Sequence, residues 1–291
     1  MQVIIFGANG LVGSAIAEQC GRAGISVLAP TKAELNVRDI SRVRDCIHTW
    51  ATRVPNAVIV NCAAKANIDE VERFPLIAED VNVMAPIVMS RACQATGLRF
   101  VQISTDQVFG NYPSAGWYRH HESDMTNDPR WLPANVYGRQ KLEAEQHVLL
   151  NNRGLVVRTQ WVYGPGRPTW VDEVVRQAKS NEPIRAISDY VGIPTFATDL
   201  ARAIIKLLQD PTAVGVYHLV NEGDPISRAN LAIWILEQLQ LNGTVEPCQL
   251  SDMEPFWAAR RPANSVIKNF RCDPLPTWTE SLTTHLQNGH N

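Results

Sequence analysis

The stretch that decides the fold is "QVIIFGANGLVGSAIAEQC", residues 2–20. It begins with a short apolar run typical of a buried strand and ends with the spacing of an amphipathic helix. Gly7, Gly10 and Gly13 lie between the two, where glycine permits a tight turn and a close approach of the backbone to a pyrophosphate. The helix N-terminus would offer free N–H groups to the phosphates. The stretch predicts a dinucleotide site, with a purely structural turn as the alternative.

The same alternation of apolar runs and amphipathic stretches continues through the first half of the chain. Further strands are predicted at "SVLAP", "NAVIVNCA", "RFVQIST" and "GLVVRTQWVYG", and helices near 11–23, 41–52, 76–97 and 136–151. Continuous Val and Ile runs separated by helices indicate a parallel sheet that is covered on both faces. The predicted fold class is therefore α/β, a Rossmann-type doubly wound parallel sheet with a smaller C-terminal substrate domain.

The second half of the chain is less regular. Helices are predicted near 170–180, 197–209 and 227–241, with strands at "IRAIS" and "GVYHLV". We expect a dinucleotide-binding domain over residues 1–164 with a return segment near 195–220, and a mainly substrate-binding domain over 165–291. The Pro-rich tail from about 245 is expected to fray. Residues 111–134 crowd Pro, Gly, Trp and His without periodicity, which predicts a functional loop or a lid.

Composition excludes several classes of partner. The chain has 291 residues and a formal net charge of −2, with no long run of one sign, which argues against nucleic acid and anionic membranes. Its apolar runs are too short for a membrane span, and "MQVIIF" lacks the basic start of a signal peptide. The six cysteines have no CxxC spacing and are interpreted as reduced thiols of a cytoplasmic protein. No metal site is predicted, and the adjacent His120 and His121 are interpreted as loop residues.

The end of the second strand bears on the choice of cofactor. The sequence "LAPTKAEL" lacks the acidic residue that would hold the ribose 2′-hydroxyl of NAD. Thr31 and Lys32 could instead receive a 2′-phosphate, so NADP(H) is the preferred cofactor and NAD(H) remains possible. The alternative is that Lys32 is only solvated. Asp39 either caps the following helix or contacts the adenine.

Two segments carry groups suited to reducing a carbonyl. Ser104, Thr105 and Asp106 lie at the carboxyl end of a predicted strand, and Tyr137 and Lys141 lie one turn apart at the start of a predicted helix. Tyr137 would give a proton to the substrate oxygen. The Lys141 ammonium and the positive oxidised nicotinamide would lower the pKa of the phenol, and Lys141 would also bond the nicotinamide ribose. Thr105 would donate a hydrogen bond to the developing alkoxide. The alternative is a packed tyrosine beside a solvated lysine.

With these motifs, the sequence resembles an extended short-chain dehydrogenase/reductase, and more closely the dTDP-4-dehydrorhamnose reductase family. The GxxGxxG spacing favours the short-chain reductase type. The matching stretches cover nearly the whole chain and are "IIFGANGLVG", "IVNCAAKANIDEVE", "VNVMAP", "ISTDQVFG", "NVYGRQKLEAE", "VVRTQWVYGPG", "SDYVGIPTFATDLARAI", "GVYHLVNEG" and "RRPANSVI". The resemblance implies a cytoplasmic reductase that acts on the 4-keto group of a dTDP-deoxysugar, with dTDP-4-dehydro-L-rhamnose as the expected substrate.

The resemblance also implies site residues. Thr105, Tyr137 and Lys141 would be the catalytic trio. Cofactor contacts beyond Tyr137, Lys141, Thr31 and Lys32 would be Gly7, Asn9, Gly10, Leu11, Val12, Gly13, Asp39, Ala63, Ala64 and Asn82. Substrate contacts would be Asp106, Val108, Phe109, Trp161, Arg261 and Asn264.

The substrate residues have alternatives. Trp161 offers a flat face to a base or sugar, or else packs in the core. Arg261 offers a planar fork to a diphosphate, but the adjacent Arg260 could take that place, or the side chain could be solvated. Gln107, the long 111–134 segment and "PGRPTW" depart from the family pattern near the expected sugar pocket.

Two other functions remain open from the sequence. The first is reduction of a different nucleotide-ketosugar. The second is a non-catalytic NADP-binding subunit like the beta subunit of methionine adenosyltransferase, against which retention of the catalytic trio argues. The sequence leaves a homodimer open as the assembly.

Overall fold

The computed structural model describes residues 1–110, 119–124, 132–262 and 264–289. Its strands in chain order are β1 (Gln2–Phe6), β2 (Ser26–Leu28), β3 (Val58–Asn61), β4 (Arg99–Thr105), β5 (Gly154–Thr159), β6 (Val162–Tyr163), β7 (Ile184–Ile187), β8 (Val191–Gly192), β9 (Thr195–Phe196), β10 (Gly215–His218), β11 (Ile226–Ser227) and β12 (Val245–Cys248). Its helices are α1 (Leu11–Arg22), α2 (Ile40–Arg53), α3 (Ile68–Arg73), α4 (Pro75–Glu79), α5 (Ala85–Thr96), α6 (Val136–Leu149), α7 (Trp170–Lys179), α8 (Ala197–Gln209), α9 (Arg228–Leu239), α10 (Leu250–Met253) and α11 (Trp278–Gly289).

A parallel sheet of six strands forms the centre of the fold, in the order β2-β1-β3-β4-β5-β10. Helices α1 and α8 pack apolar side chains on one face of it, and α2 and α5 on the other. This confirms the predicted doubly wound α/β fold. Because the strands are parallel, the carboxyl ends of β1, β3, β4 and β5 meet at one edge, which is where functional groups of such sheets gather.

The helix predicted over 76–97 is three segments. It consists of α4, a π-helical turn over Asp80–Met84, and α5. Pro86 lies near the start of α5 and has no backbone N–H, so it cannot complete the regular ladder of hydrogen bonds across the junction. The other predicted helices are found within two residues of their expected bounds.

The strand predicted over 154–164 is also interrupted. It divides into β5 and β6 at Gln160 and Trp161. Trp161 has φ of 43°, a left-handed backbone conformation that no extended strand can contain. Such strain in a bulky residue is typical of functional sites.

The expectation of a frayed tail is wrong for most of it. β12 pairs with β7, and α11 buries Leu282 and Leu286. Helices α7 and α9, with α11, surround a second apolar core outside the central sheet. The tail therefore contributes side chains to this second core.

The proposed lid over 111–134 lies mostly outside the described residues. Within it, the backbone of His120 bonds Val266 and Lys268. The His120 ring is buried and stacks on Phe109 with 3.9 Å between centroids, so His120 is a core residue of this region. Among the described helices, none is long and apolar enough to cross a membrane.

Candidate active site

The glycine turn after β1 has the geometry of a phosphate site. Gly7 has φ of +78°, and a Cβ added there would lie 2.6 Å from the Ala63 nitrogen. A Cβ on Gly13 would lie 2.3 Å from the Gly7 carbonyl oxygen. Only glycine fits either position without moving backbone. The N-terminus of α1 follows directly, and no side chain caps it. Its free N–H groups fit the pyrophosphate of a dinucleotide.

A cavity of about 540 Å³ lies beside this turn and is called the cofactor cavity. The predicted residues that line it are Gly7, Asn9, Gly10, Thr31, Lys32, Ala63 and Ala64. Arg38 and Arg167, which the sequence did not single out, line it too. Lys32 has no acidic partner among the described residues, whereas Arg38 pairs with Asp80 at 2.9 Å. Of the other cations that line the cavity, Arg167 donates to the Asn9 carbonyl at 2.9 Å and Lys65 pairs with Glu70 at 3.0 Å. Lys32 is therefore the cation most available to a 2′-phosphate.

Three residues that were predicted to contact the cofactor use their side chains in hydrogen bonds within the chain. Asp39 caps α2 by accepting from the Arg42 N–H at 3.1 Å, which is the alternative that the sequence left open. Asn82 is buried and bonds both backbone groups of Lys65, so it holds the loop beside the cofactor cavity without lining it. The Thr31 hydroxyl donates to Glu34 at 2.8 Å, which makes it less available to a phosphate.

A second cavity of about 780 Å³, called the reaction cavity, adjoins the first. The two share Gly10, Cys62, Ala64 and Arg167. Predicted residues that line the reaction cavity are Gly10, Leu11, Val12, Gly13, Thr105, Asp106, Tyr137, Lys141, Trp161 and Arg261. The fold therefore brings Thr105, Tyr137 and Lys141, the predicted catalytic trio, together beside the glycine turn.

Helix α6 is held against the end of β4 by features of the stretch "NVYGRQK". The Asn135 side chain caps α6 by accepting from the Gly138 N–H at 2.8 Å and donates to Gln107 at 3.1 Å. A Cβ on Gly138 would lie 2.1 Å from the Gln107 carbonyl oxygen. The helix can approach the Thr105 turn this closely only with glycine at 138. This contact positions Tyr137.

A buried ion pair fixes the same face of α6 further along. Glu145 lies one turn after Lys141, and the Arg158 guanidinium donates to both of its carboxylate oxygens, with the shortest distance at 2.6 Å. The Ser104 hydroxyl also donates to Glu145. Both charged side chains are buried. The pair ties α6 to β4 and β5, and sequence reasoning did not find it, since nothing in the spacing shows that 145 meets 158.

Lys141 is buried beneath the reaction cavity. Its ammonium donates to the Ile103 carbonyl at 2.7 Å, which uses one of its three N–H bonds. Burial lowers the pKa of Lys141 to about 8, although the Glu145 carboxylate opposes this. The lysine is therefore still mostly charged near neutral pH.

The surroundings of Tyr137 shift its pKa in the direction opposite to the predicted one. Burial, with a smaller contribution from the Asp106 carboxylate, raises the pKa of the phenol above its ordinary value. The sequence predicted that Lys141 lowers this pKa, but desolvation of the phenolate determines the direction of the shift. Tyr137 therefore holds its proton at neutral pH, which suits an acid that donates to a carbonyl oxygen.

Asp106 lies under Thr105 in a dense polar cluster. Its carboxylate accepts from Thr105 at 3.0 Å, Gln160 at 3.0 Å and Ser265 at 2.5 Å. Burial raises its pKa, and these hydrogen bonds oppose the rise. The Thr105 hydroxyl also accepts from the Gln107 N–H at 3.2 Å. The threonine is oriented by its neighbours before any substrate arrives.

The part of the reaction cavity lined by Trp161, Tyr190, Arg228, Trp257 and Arg261, called its outer end, is aromatic and basic. The Trp161 indole N–H donates to the Tyr190 hydroxyl at 3.3 Å. Arg261 pairs with Asp69 at 2.6 Å and lies over the Trp257 ring, whereas the Arg260 side chain is 79% exposed and lines neither cavity. Of the two arginines, Arg261 is therefore the one that lines the reaction cavity. Residues here that the sequence did not indicate are Trp170, Arg185, Tyr190, Arg228, Met253 and Trp257.

Three predicted substrate contacts do not line either cavity. Val108 and Phe109 are fully buried in the core behind Thr105. Asn264 forms a backbone bridge with Val191, and its side chain accepts from the Val266 N–H at 3.2 Å. They were predicted as substrate contacts because they lie close in sequence to residues that do line the reaction cavity.

Comparison with known proteins agrees with this geometry. Residues 1–290 match the family described as the RmlD substrate binding domain. A dTDP-4-dehydrorhamnose reductase of Mycolicibacterium smegmatis is 32% identical over 97% of this chain and 84% of its own.

Two solved structures are similar over almost their full length. The dTDP-4-dehydrorhamnose reductase of Clostridium acetobutylicum has a TM-score of 0.87 and 28% identity, with 99% of each chain covered. That of Bacillus anthracis, in complex with NADP, has a TM-score of 0.86 and 29% identity, with 99% of this chain and 100% of its own covered. By these matches, which agree with its glycine turn and with the meeting of Thr105, Tyr137 and Lys141 in one cavity, the chain belongs to the dTDP-4-dehydrorhamnose reductase family of extended short-chain dehydrogenases/reductases.

Proposed function

We propose that this protein reduces the 4-keto group of dTDP-4-dehydro-L-rhamnose to give dTDP-L-rhamnose, with NADPH as the preferred reductant and NADH as a possible one. The observation that carries the proposal is the meeting of Thr105, Tyr137 and Lys141 in one cavity beside the glycine turn. When bound, the cofactor supplies the hydride. The relatives named for this reaction support the choice of substrate.

The chain's own groups divide the remaining work. Tyr137 keeps its proton at neutral pH and gives it to the substrate oxygen as negative charge develops there. Lys141 has two N–H bonds left after its bond to Ile103, and these suit the ribose hydroxyls and the phenol oxygen. The Thr105 hydroxyl turns from Asp106 to donate to the same substrate oxygen.

The substrate assignment is tested by a panel of nucleotide-4-ketosugars, with consumption of NADPH followed by its absorbance. We expect turnover of dTDP-4-dehydro-L-rhamnose and slower turnover of sugars on other nucleotides. Turnover of another nucleotide-ketosugar alone would replace the proposed substrate. Binding of NADPH with no turnover of any ketosugar would favour the regulatory subunit.

The cofactor preference rests on Lys32, which lines the cofactor cavity without an acidic partner among the residues described. A cation facing the 2′-phosphate favours NADPH over NADH. Fluorescence titration should show that NADPH binds more tightly than NADH. Lys32→Gln should reduce the ratio of the two affinities by roughly tenfold. Lys179→Gln, which lines neither cavity, is the matched control. Tighter binding of NADH by the wild type would contradict the preference.

Three further features remain predictions. The first is the division into a cofactor domain over 1–164, with a return segment near 195–220, and a substrate domain over 165–291. The second is a cytoplasmic location, and the third is a homodimer. Analytical ultracentrifugation tests the last of them.

A further inference from the structure

Arg228 occupies an unusual place in the reaction cavity. It is the first residue of α9, directly after the capping residue Ser227, and its side chain lines the cavity. Its guanidinium carbon lies 3.7 Å from the centroid of the Trp161 ring and 4.6 Å from that of Trp170. The guanidinium is therefore held between two indoles. No motif in the sequence pointed to it.

The electrostatic surroundings of Arg228 are unfavourable to a cation. The N-terminus of a helix carries positive partial charge, which repels it. Burial lowers the pKa of Arg228 to about 10, so the charge is partly desolvated although still present at neutral pH. No described acidic side chain forms an ion pair with it. Among the described residues, its close partners are the two indoles, and Asp106 attracts it from farther away. The side chain is half-buried, and a cation withdrawn from water in this way ordinarily has an acidic partner.

The neighbouring Arg261 is different, although the sequence favoured it for a diphosphate. Its guanidinium donates to both carboxylate oxygens of Asp69, at 2.6 and 3.3 Å, and to the Ala259 carbonyl at 2.7 Å. Partial burial would raise the pKa of Asp69, but these bonds hold it below its ordinary value. The charge of Arg261 is thus compensated within the protein, and that of Arg228 is not.

The neighbours of Arg228 indicate which anion it would meet. Arg228 lines the same cavity as Thr105, Tyr137 and Lys141. Trp161, which it contacts, follows Gln160, whose amide donates to Asp106. In a nucleotide sugar, the anionic group that enters such a cavity together with the sugar is the diphosphate.

We propose that Arg228, held by Trp161 and Trp170, binds the diphosphate of the nucleotide sugar. This inference rests on the proposed function for the kind of substrate, but not on which base or sugar is accepted. Its planar fork suits two phosphate oxygens at once. The ligand also supplies the counter-charge that Arg228 lacks in the chain.

The test measures the affinity of the purified full-length protein for dTDP, UDP, GDP and thymidine by isothermal titration calorimetry. Arg228→Gln should weaken the nucleoside diphosphate that binds best by roughly tenfold to a hundredfold, as expected for a lost charge-assisted bond. Arg228→Lys should restore part of the affinity, because it keeps the charge but not the fork. Binding of thymidine should not change, since it has no phosphate.

Two further measurements separate this role from a structural one. Arg260→Gln, which lies outside both cavities, should bind the diphosphate like the wild type. Affinity for NADPH should be unchanged in every variant, because Arg228 does not line the cofactor cavity. Equal diphosphate affinity of the wild type and Arg228→Gln would overturn the inference, as would a wild type that binds no nucleoside diphosphate. Turnover of ketosugars is scored separately, so the proposed substrate can fail while the role of Arg228 holds.

Discussion

The two ends of the reaction cavity are built in different ways. The end beside the cofactor cavity draws its groups from three short motifs, the glycine turn, the segment after β4 and the first turn of α6. The outer end draws Trp161, Tyr190, Arg228, Trp257 and Arg261 from segments far apart in the chain. The first end can be recognised from local spacing. The second exists only where segments far apart in the chain pack together.

The two ends also differ in how their charges are compensated. Near α6, the Glu145 carboxylate is fully satisfied by Arg158 and Ser104. At the outer end, Arg228 has two indoles but no acidic partner among the described residues. We infer that the end beside the cofactor cavity, called the catalytic end, is rigid before ligands bind, whereas the outer end is stabilised by its ligand. Three changes test the catalytic end.

The largest effect on stability is expected for Glu145→Ala. It leaves the Arg158 guanidinium buried without its carboxylate, and breaking a buried pair in this way typically costs about 3–5 kcal/mol. Urea denaturation measures the loss. Glu143→Ala, on the exposed side of the same helix, should stay within about 0.5 kcal/mol of the wild type. Similar stabilities for the two variants would show that the catalytic end does not depend on this pair.

A smaller loss is expected for Gly138→Ala. The added Cβ would meet the Gln107 carbonyl oxygen at 2.1 Å, so α6 must move away from the Thr105 turn. Such overpacking costs about 1–3 kcal/mol, and turnover should fall as Tyr137 shifts. Gly21→Ala in α1 meets no atom within 4 Å and should instead stabilise the protein by about 0.5–1 kcal/mol. Changes of the same sign in both variants would contradict the close contact at 138.

The smallest effect concerns pH. Burial lowers the pKa of Lys141 to about 8, so its ammonium is present below that pH and is lost as the pH rises through it. If the ammonium binds the nicotinamide ribose, affinity for NADPH should fall about tenfold between pH 7 and pH 10. Fluorescence titration across this range checks the fall. Lys141→Arg keeps its charge and should give a flatter profile, and a wild-type profile equally flat would exclude the ammonium from the cofactor site.

The features that could be predicted from the sequence belong mostly to the end beside the cofactor cavity. The strands, most helices, the glycine turn and the trio were visible because each depends on local spacing. The break at Trp161 was not visible, since it depends on Gln160 reaching Asp106 and Ile193 from other elements. Arg228 was missed because an arginine at a helix start carries no motif. Val108 and Phe109 were misplaced because proximity in sequence to Thr105 does not tell which side of the turn a side chain occupies.

The central claim is that Tyr137 gives the proton in a ketosugar reduction. The most direct measurement compares single-turnover reduction of dTDP-4-dehydro-L-rhamnose by the wild type and by Tyr137→Phe at saturating NADPH. Tyr163→Phe is the control, because Tyr163 is buried but lines neither cavity. The rate should fall about 10²–10⁴-fold in Tyr137→Phe, with unchanged affinity for NADPH, and stay near that of the wild type in the control. A similar rate for Tyr137→Phe and the wild type would contradict the claim.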